Sequence, residues 1–260
     1  SVNNLLKELD LEIHYHKLSI SDYLVSFLTI SELGRRLLKR LNIFSTLERN
    51  LLKKNIDLVY FLNPTFLALS LRKINYVYTI WDASHQQTPE FPEVRNGVGH
   101  SRDFLYKKAL SSAVLTLTDS DKLSELLVHK YNADFNRLLK MPFSCPIELP
   151  KENFKDISKF EGGFEDFFYY PAQYWPHKNH IRIIEALKHL KDKEIDVRVI
   201  FVGSDKGNLA FLKKRTSELN LQDQVRFHEF INSEDIISLY LQCKGVLMPS
   251  YFGFTNLPPL

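Results

Sequence analysis

Short apolar runs alternate with longer periodic segments along most of this chain, and that alternation restricts its fold more than any other feature. An apolar run bounded by turn residues reads as a strand. Apolar residues recurring every three or four positions read as one face of a helix. In the first half, strands are expected at residues 58–62, 76–81, 114–117 and 138–141. Ser45-Thr46-Leu47-Glu48 is a capping-box pattern, in which serine and glutamate side chains satisfy each other's free backbone N–H groups. It should open a helix running to Lys54. A further helix is expected after Ser120, with Leu123, Leu126 and Leu127 on one face. In the second half, strands at residues 167–170, 197–202, 225–228 and 245–248 alternate with helices at 179–190, 209–219 and 233–241. The run 197–202 is apolar almost throughout, as befits a strand buried on both faces. Strands separated by helices imply parallel sheets with right-handed crossovers.

Residues 145–165 lose this period. They hold Pro146, Pro150, Gly162 and Gly163 among charges, which is linker composition. The expected organisation is α/β: a Rossmann-like domain over residues 1–147, a linker over 148–165 and a second Rossmann-like domain over 166–260. Two such parallel-sheet domains would face a cleft. Both are expected to be incomplete, because the chain opens on Ser1 without Met and stops at Leu260 before any closing helix.

Composition narrows the function. The 260 residues are 44% hydrophobic and 25% charged, enough apolar mass for two cores. A net charge of +3 argues against a dedicated nucleic-acid binder, which carries a clustered basic face. Cys145 and Cys243 lie far apart and neither has a neighbour at metal-ligand spacing, so a reducing compartment, the cytoplasm, fits. No signal peptide opens the chain. No apolar run reaches the ~18 residues that a membrane span needs.

Ligands of open parallel sheets bind beyond the carboxyl ends of the strands, so the loops there carry the candidate chemistry. In the first, Pro171 to His180, Lys178 falls at the mouth of a helix. The free N–H groups and partial positive charge of a helix start make it a seat for a diphosphate; the alternative is a plain surface lysine. The second, Gly203-Ser204-Asp205-Lys206-Gly207-Asn208, is a strand-to-helix turn that matches neither the dinucleotide fingerprint nor a P-loop. In the third, Pro249 to Leu260, Gly253, Thr255 and Asn256 would let backbone amides approach a ligand. His177 and His180 lack a third ligand nearby, so no metal site is expected. Asp82 and His85 are the best polar candidates of the first half; they serve either chemistry or the ordering of their own loop. Arg35, Arg36, Lys39 and Arg40 share a helix with Leu33, Leu37, Leu38 and Leu41. It either covers a core with a solvated basic face or lies on an anionic membrane.

Four motifs in order, Pro-His-Lys178-Asn179, Val202-Gly203-Ser204, Val225-Arg226-Phe227-His228-Glu229-Phe230 and Pro249-Ser250 through Leu260, resemble the donor-binding half of retaining GT-B glycosyltransferases, specifically glycosyltransferase family 4. Ile80-Trp81-Asp82-Ala83-Ser84-His85, followed by Pro89-Glu90-Phe91-Pro92-Glu93-Val94, resembles the family's acceptor-side loop, and Arg102, Thr118 and Ser120 fit the same pattern. Two departures stand out. Gln173 takes the place of an arginine five positions before the lysine. Gly253 takes the place of the first of two glutamates, and the second would follow Leu260.

The resemblance implies metal-independent, cofactor-free transfer of a sugar, of hexosyl type, from a nucleoside diphosphate sugar with retained anomeric configuration. The acceptor would be a glycan or lipid-linked, in cell-surface polysaccharide assembly. Lys178 would stabilise the leaving diphosphate by charge, and backbone amides at Gly203, Ser204, Thr255, Asn256 and Leu257 by dipoles. Gln173 would border the same donor site. Glu229 and Phe230 would sit beside the base, with Asp82 and His85 toward the sugar or the acceptor hydroxyl. Two alternatives stay open: a non-catalytic module that binds nucleotide or glycan, and a sugar-nucleotide epimerase.

Overall fold

The computed structural model describes residues 16–95, 98–144, 157, 160, 162, 164 and 166–252. The chain divides into two compact units. One takes in the described residues of Ser1–Trp81, His100–Thr118 and Ser124–Lys140; the other takes in those of Asp82–Gly99, Asp119–Leu123 and Met141–Leu260. The loops that follow the second and third strands thus cluster with the second half of the sequence.

The first unit opens with three helices, α1 (Ile20–Leu28), α2 (Glu32–Arg40) and α3 (Thr46–Lys53). Its sheet is parallel, in the order β1 (Leu58–Phe61), β2 (Asn75–Ile80), β3 (Leu115–Thr118) and β4 (Leu138–Lys140). Helix α4 (Val98–Ser112) connects β2 to β3, and α5 (Asp121–Tyr131) connects β3 to β4. All four strands were expected, with ends moved by one residue. Trp81 stands past the end of β2 because its ring N–H donates to the Leu62 carbonyl at 2.9 Å. Ser120 caps α5 by accepting from the Leu123 N–H, and Leu123 and Leu127 are fully buried.

Two helix expectations need correction. Ser45 does accept the Glu48 N–H. The Glu48 carboxylate, however, does not close a capping box. It is fully buried, and Oε1 accepts from the N–H groups of Arg72 and Lys73 at 2.6 Å and of Ile74 at 3.4 Å. Three amides at a turn outbid one at the cap. In α2, only Gly34 and Leu38 are buried, while Leu33 is 79% exposed and Leu37 and Leu41 are also exposed. A Cβ on Gly34 would lie 2.1 Å from the Leu28 carbonyl oxygen, so glycine permits the close approach of α1 and α2. Helix α1 buries its polar side. Asp22 accepts from the Leu47 and Ser19 N–H groups, Ser26 and Thr29 are buried, and Ile20, Tyr23, Leu24 and Phe27 face outward.

The second unit is a second parallel sheet in the order β7-β6-β5-β8: β5 (Phe168–Pro171), β6 (Val199–Val202), β7 (Val225–His228) and β8 (Gly245–Val246). Helices α6 (His180–Lys191), α7 (Leu209–Glu218) and α8 (Ser233–Gln242) connect them. All of β6 is buried, as expected, and its alternate residues serve two cores. Val199 and Phe201 pack with Ile184, Leu187 and Leu212 of α6 and α7. Ile200 and Val202 pack with Phe164, Phe167 and Leu239 on the other face. Helices on both faces of a parallel sheet are the doubly wound arrangement. Strand β8 is shorter than expected, although the Leu247 N–H still reaches the Tyr169 carbonyl at 2.8 Å. Most of the expected linker, and the expected boundary at 147, lie outside the described residues.

Candidate functional site

The order β7-β6-β5-β8 reverses between β5 and β8. Such a switch point, at the carboxyl ends of the strands, is where open α/β sheets bind ligands. The loops after β5 and β8 meet there. The Tyr251 N–H donates to the His177 carbonyl at 2.9 Å, and Asn179 Nδ2 donates to the Pro249 carbonyl at 3.2 Å.

The loop after β5 is held from beneath by two buried tyrosines. The Tyr174 hydroxyl is shared between the carbonyls of Phe201 (3.1 Å) and His228 (2.8 Å), and the Tyr174 N–H donates to Ser204. The Tyr170 hydroxyl donates to the Lys178 carbonyl at 2.6 Å. Gly203 is required by close approach, since a Cβ there would stand 2.2 Å from the Ala172 carbonyl oxygen. These clamps bring Gln173, Gly203, Ser204, Glu229 and Phe230 around one cavity of about 280 Å3. Phe230 is 90% exposed, an aromatic face left uncovered at the rim. The Gln173 side-chain oxygen accepts from the Trp175 ring N–H at 2.9 Å.

The two helix starts differ. At α7, Asp205 Oδ1 accepts from the N–H groups of Gly207, Asn208 and Leu209, and these bonds hold its pKa below the usual carboxylate range. That turn already holds an anion of its own, and the Gly203 N–H, which the resemblance assigns to the diphosphate, donates to the His228 carbonyl at 3.0 Å. At α6 no side chain caps the helix start. Asn179 takes a left-handed conformation (φ 60°) between the turn Pro176–Lys178 and the helix, so α6 begins at His180. Lys178 stands at this start. Its pKa is lowered, first by desolvation, with the Asp82 carboxylate opposing the shift.

Asp82 belongs to the same unit, and its Oδ1 accepts from the Ser84 N–H at 3.0 Å. His85 is buried in the short turn Ser84–Gln86. Sequence reasoning missed Glu93 in this role. Its carboxylate pairs closely with His177 Nδ1 and accepts from the His177 N–H. Phe252 stacks on the His177 ring at 4.1 Å, and Phe91 meets Phe252 edge-on. The pKa of His177 is lowered by burial, which outweighs the opposing pull of Glu93. Gly253, Thr255, Asn256 and Leu257 lie outside the described residues. Among the described residues, no group of three His, Cys, Asp or Glu side chains could hold a metal ion.

Residues 151–256 match the family model described as glycosyl transferases group 1. No curated protein matches the chain. Among solved structures it is similar to Anabaena HepE in complex with UDP and glucose, with a TM-score of 0.64 and 18% identity over 96% of this chain and 64% of that one. A glycosyltransferase from Rickettsia africae matches with a TM-score of 0.55 and 15% identity, over 96% of this chain and 62% of that one. WaaG, a glycosyltransferase involved in lipopolysaccharide biosynthesis, matches with a TM-score of 0.55 and 17% identity, over 79% and 56%. At these identities the likeness shows the fold, that of GT-B glycosyltransferases. The chain spans less than two thirds of the length of each of these three structures.

Proposed function

We propose that this protein is a retaining glycosyltransferase that moves a hexosyl group from a nucleoside diphosphate sugar to a glycan or lipid-linked acceptor. The observation that carries this reading is the uncapped start of α6 at the β5/β8 switch point, with a desolvated Lys178 beside it. Helix amides and an ammonium group together suit a diphosphate, whose charge grows as the sugar departs. The neighbouring cavity supplies a wall at Gly203 and Ser204 and an open aromatic face at Phe230, which suits a nucleobase. Asp82, which acts on Lys178 through space, lies toward the sugar, and His85 orders the same loop. The resemblance alone assigns the backbone amides of Thr255, Asn256 and Leu257 to the same diphosphate. In this proposal the transfer requires neither a metal ion nor a cofactor.

The match to the group 1 model and the UDP and glucose held by HepE support the donor class. WaaG, named for lipopolysaccharide biosynthesis, supports surface polysaccharide assembly; the cytoplasmic location of this proposal rests on the two widely separated cysteines. No described helix is long and apolar enough to cross a membrane. Peripheral contact through residues 35–40 is part of the proposal, supported by exposed Leu33, Leu37 and Leu41 beside basic side chains. Gln173, bound to Trp175 where the resemblance expects a cation, favours the second reading, a module that binds donor without transfer.

Calorimetry with UDP- and GDP-sugars, followed by an acceptor assay, separates the two. Lys178→Ala is expected to lower transfer at least about a hundredfold, the size of one lost oxyanion donor. Unchanged turnover would remove the lysine from the mechanism. Binding without transfer in the full-length protein would leave the module.

A further inference from the structure

A cavity of the first unit, about 640 Å3, lies at the N-terminal end of β2 and is lined by five cations: Arg35 and Lys39 of α2, Arg72 and Lys73 of the turn before β2, and Lys108 of α4. No acidic residue lines it, and among the described residues none of the five takes part in an ion pair. We infer that this cavity is an anion-binding site for a ligand carrying clustered phosphates, separate from the candidate donor site. The inference stands whether or not the proposed transfer reaction does.

The basic side chains are assembled, not scattered. Glu48 pins the turn from the inside by taking the Arg72, Lys73 and Ile74 amides, so it holds this turn by its backbone and not through the two basic side chains. Arg72 and Lys73 both lie over the Phe44 ring, at 5.3 and 4.9 Å from its centroid, and Phe44 also lines the cavity. Arg72 is fixed further by donating to the Ile43 carbonyl. On α2, Arg35 and Lys39 are one turn apart and share the cavity-facing side. Arg36 and Arg40 do not line it, and Arg36 is paired with Glu32. Five like charges around one concave space repel one another, and concave low-dielectric walls focus their field. Guanidinium and ammonium groups together match phosphate oxygens by fork and point charge. The volume exceeds what one phosphate fills and lies within the range of small-ligand pockets. Clustered phosphates reach such a site from two sources, a free oligophosphate or the headgroup of an anionic phospholipid.

Pyrophosphate is the probe, titrated calorimetrically into full-length Lys178→Ala protein so that the α6 seat does not contribute. Saturable binding is expected. The double variant Arg35→Gln/Lys73→Gln should weaken it at least about tenfold, the equivalent of one charge-assisted contact. Lys53→Gln/Lys54→Gln, which removes the same charge from exposed positions outside both the cavity and the 35–40 segment, should leave it within about twofold. Without ligand, the Arg35→Gln/Lys73→Gln protein should melt no lower than its parent, because repulsion is relieved; this keeps misfolding apart from lost binding. In the second arm, the same proteins are sedimented with vesicles containing cardiolipin, whose headgroup carries two phosphates, and with phosphatidylcholine vesicles. Binding to the anionic vesicles alone, lost in Arg35→Gln/Lys73→Gln and kept in Lys53→Gln/Lys54→Gln, assigns the site to a headgroup. Binding of pyrophosphate with that same pattern assigns it to a soluble phosphate. No saturable binding in either arm, or equal weakening by both double variants, overturns the inference.

Discussion

His180 is completely buried among Tyr170, Tyr174 and Phe201, with ring centroids 4.6 to 5.1 Å away. Burial pushes its pKa from the usual 6.5 down to about 3; the Ala172 carbonyl opposes this weakly, and the positive charges of Lys178 and His177 add to it. In the unfolded chain the ring protonates near pH 6.5, whereas in the native state it stays neutral until about pH 3. The unfolded state therefore binds more protons between these values, and stability present above pH 6.5 is lost as pH falls through the window, at about 1.4 kcal/mol per pH unit. His180→Phe keeps the ring and removes the titration. Urea unfolding at pH 6.5 and 4.5 should show the variant gaining about 2–3 kcal/mol on its parent. Parallel losses in the two proteins would mean that carboxylates alone set the acid limit. Asp22 is such a carboxylate: burial raises its pKa, but hydrogen bonds led by the Leu47 N–H bring it down to about 2, so its contribution is lost only below the ordinary carboxylate range.

At the scale of elements, the approach of the β5 and β6 ends is set by Gly203. In Gly203→Ala the new Cβ would meet Ala172 backbone at 2.2 and 2.5 Å, so the strand ends must part and carry Gln173 with them. Such overpacking costs about 1–3 kcal/mol. It should lower both the melting temperature and the affinity for whichever nucleoside diphosphate sugar binds the parent, the latter at least about tenfold. Gly207→Ala is the control, because its Cβ has open space but φ is +90°; it should cost stability and spare affinity. Equal affinities for the two variants would detach the cavity from donor binding. The strands were legible because a parallel strand buried on both faces must be apolar throughout, as Val199 to Val202 are. The loops around the cavity were legible because they follow those strands. What was not legible depended on partners distant in sequence. Glu48 reads locally as a cap, and only the folded chain brings the Arg72–Ile74 amides to it. Glu93 reads as part of a proline-rich loop, and nothing local announces His177, 84 positions away. The outward apolar stripe of α1 was hidden for the same reason: Asp22 is drawn inward by the Leu47 N–H, 25 positions away.

At the scale of the molecule, two compact units with separate sheets should not unfold as one. The chain has two tryptophans, and each unit holds one: Trp81 in the first and Trp175 in the second. Trp81→Phe leaves a fluorophore that reports the second unit, and Trp175→Phe leaves one that reports the first. Glu48→Ala, placed in both backgrounds, strips the acceptor from the Arg72, Lys73 and Ile74 amides, a loss on the order of 2–3 kcal/mol for buried and part-buried donors deprived of a charged partner. With Trp81 as reporter, the urea midpoint should fall markedly. With Trp175 as reporter, it should move little, because the second unit keeps its own two cores. Equal shifts from both reporters would mean that the units unfold as a single cooperative block, and that stability lost at the Arg72 turn is felt in full at the loops that carry Lys178.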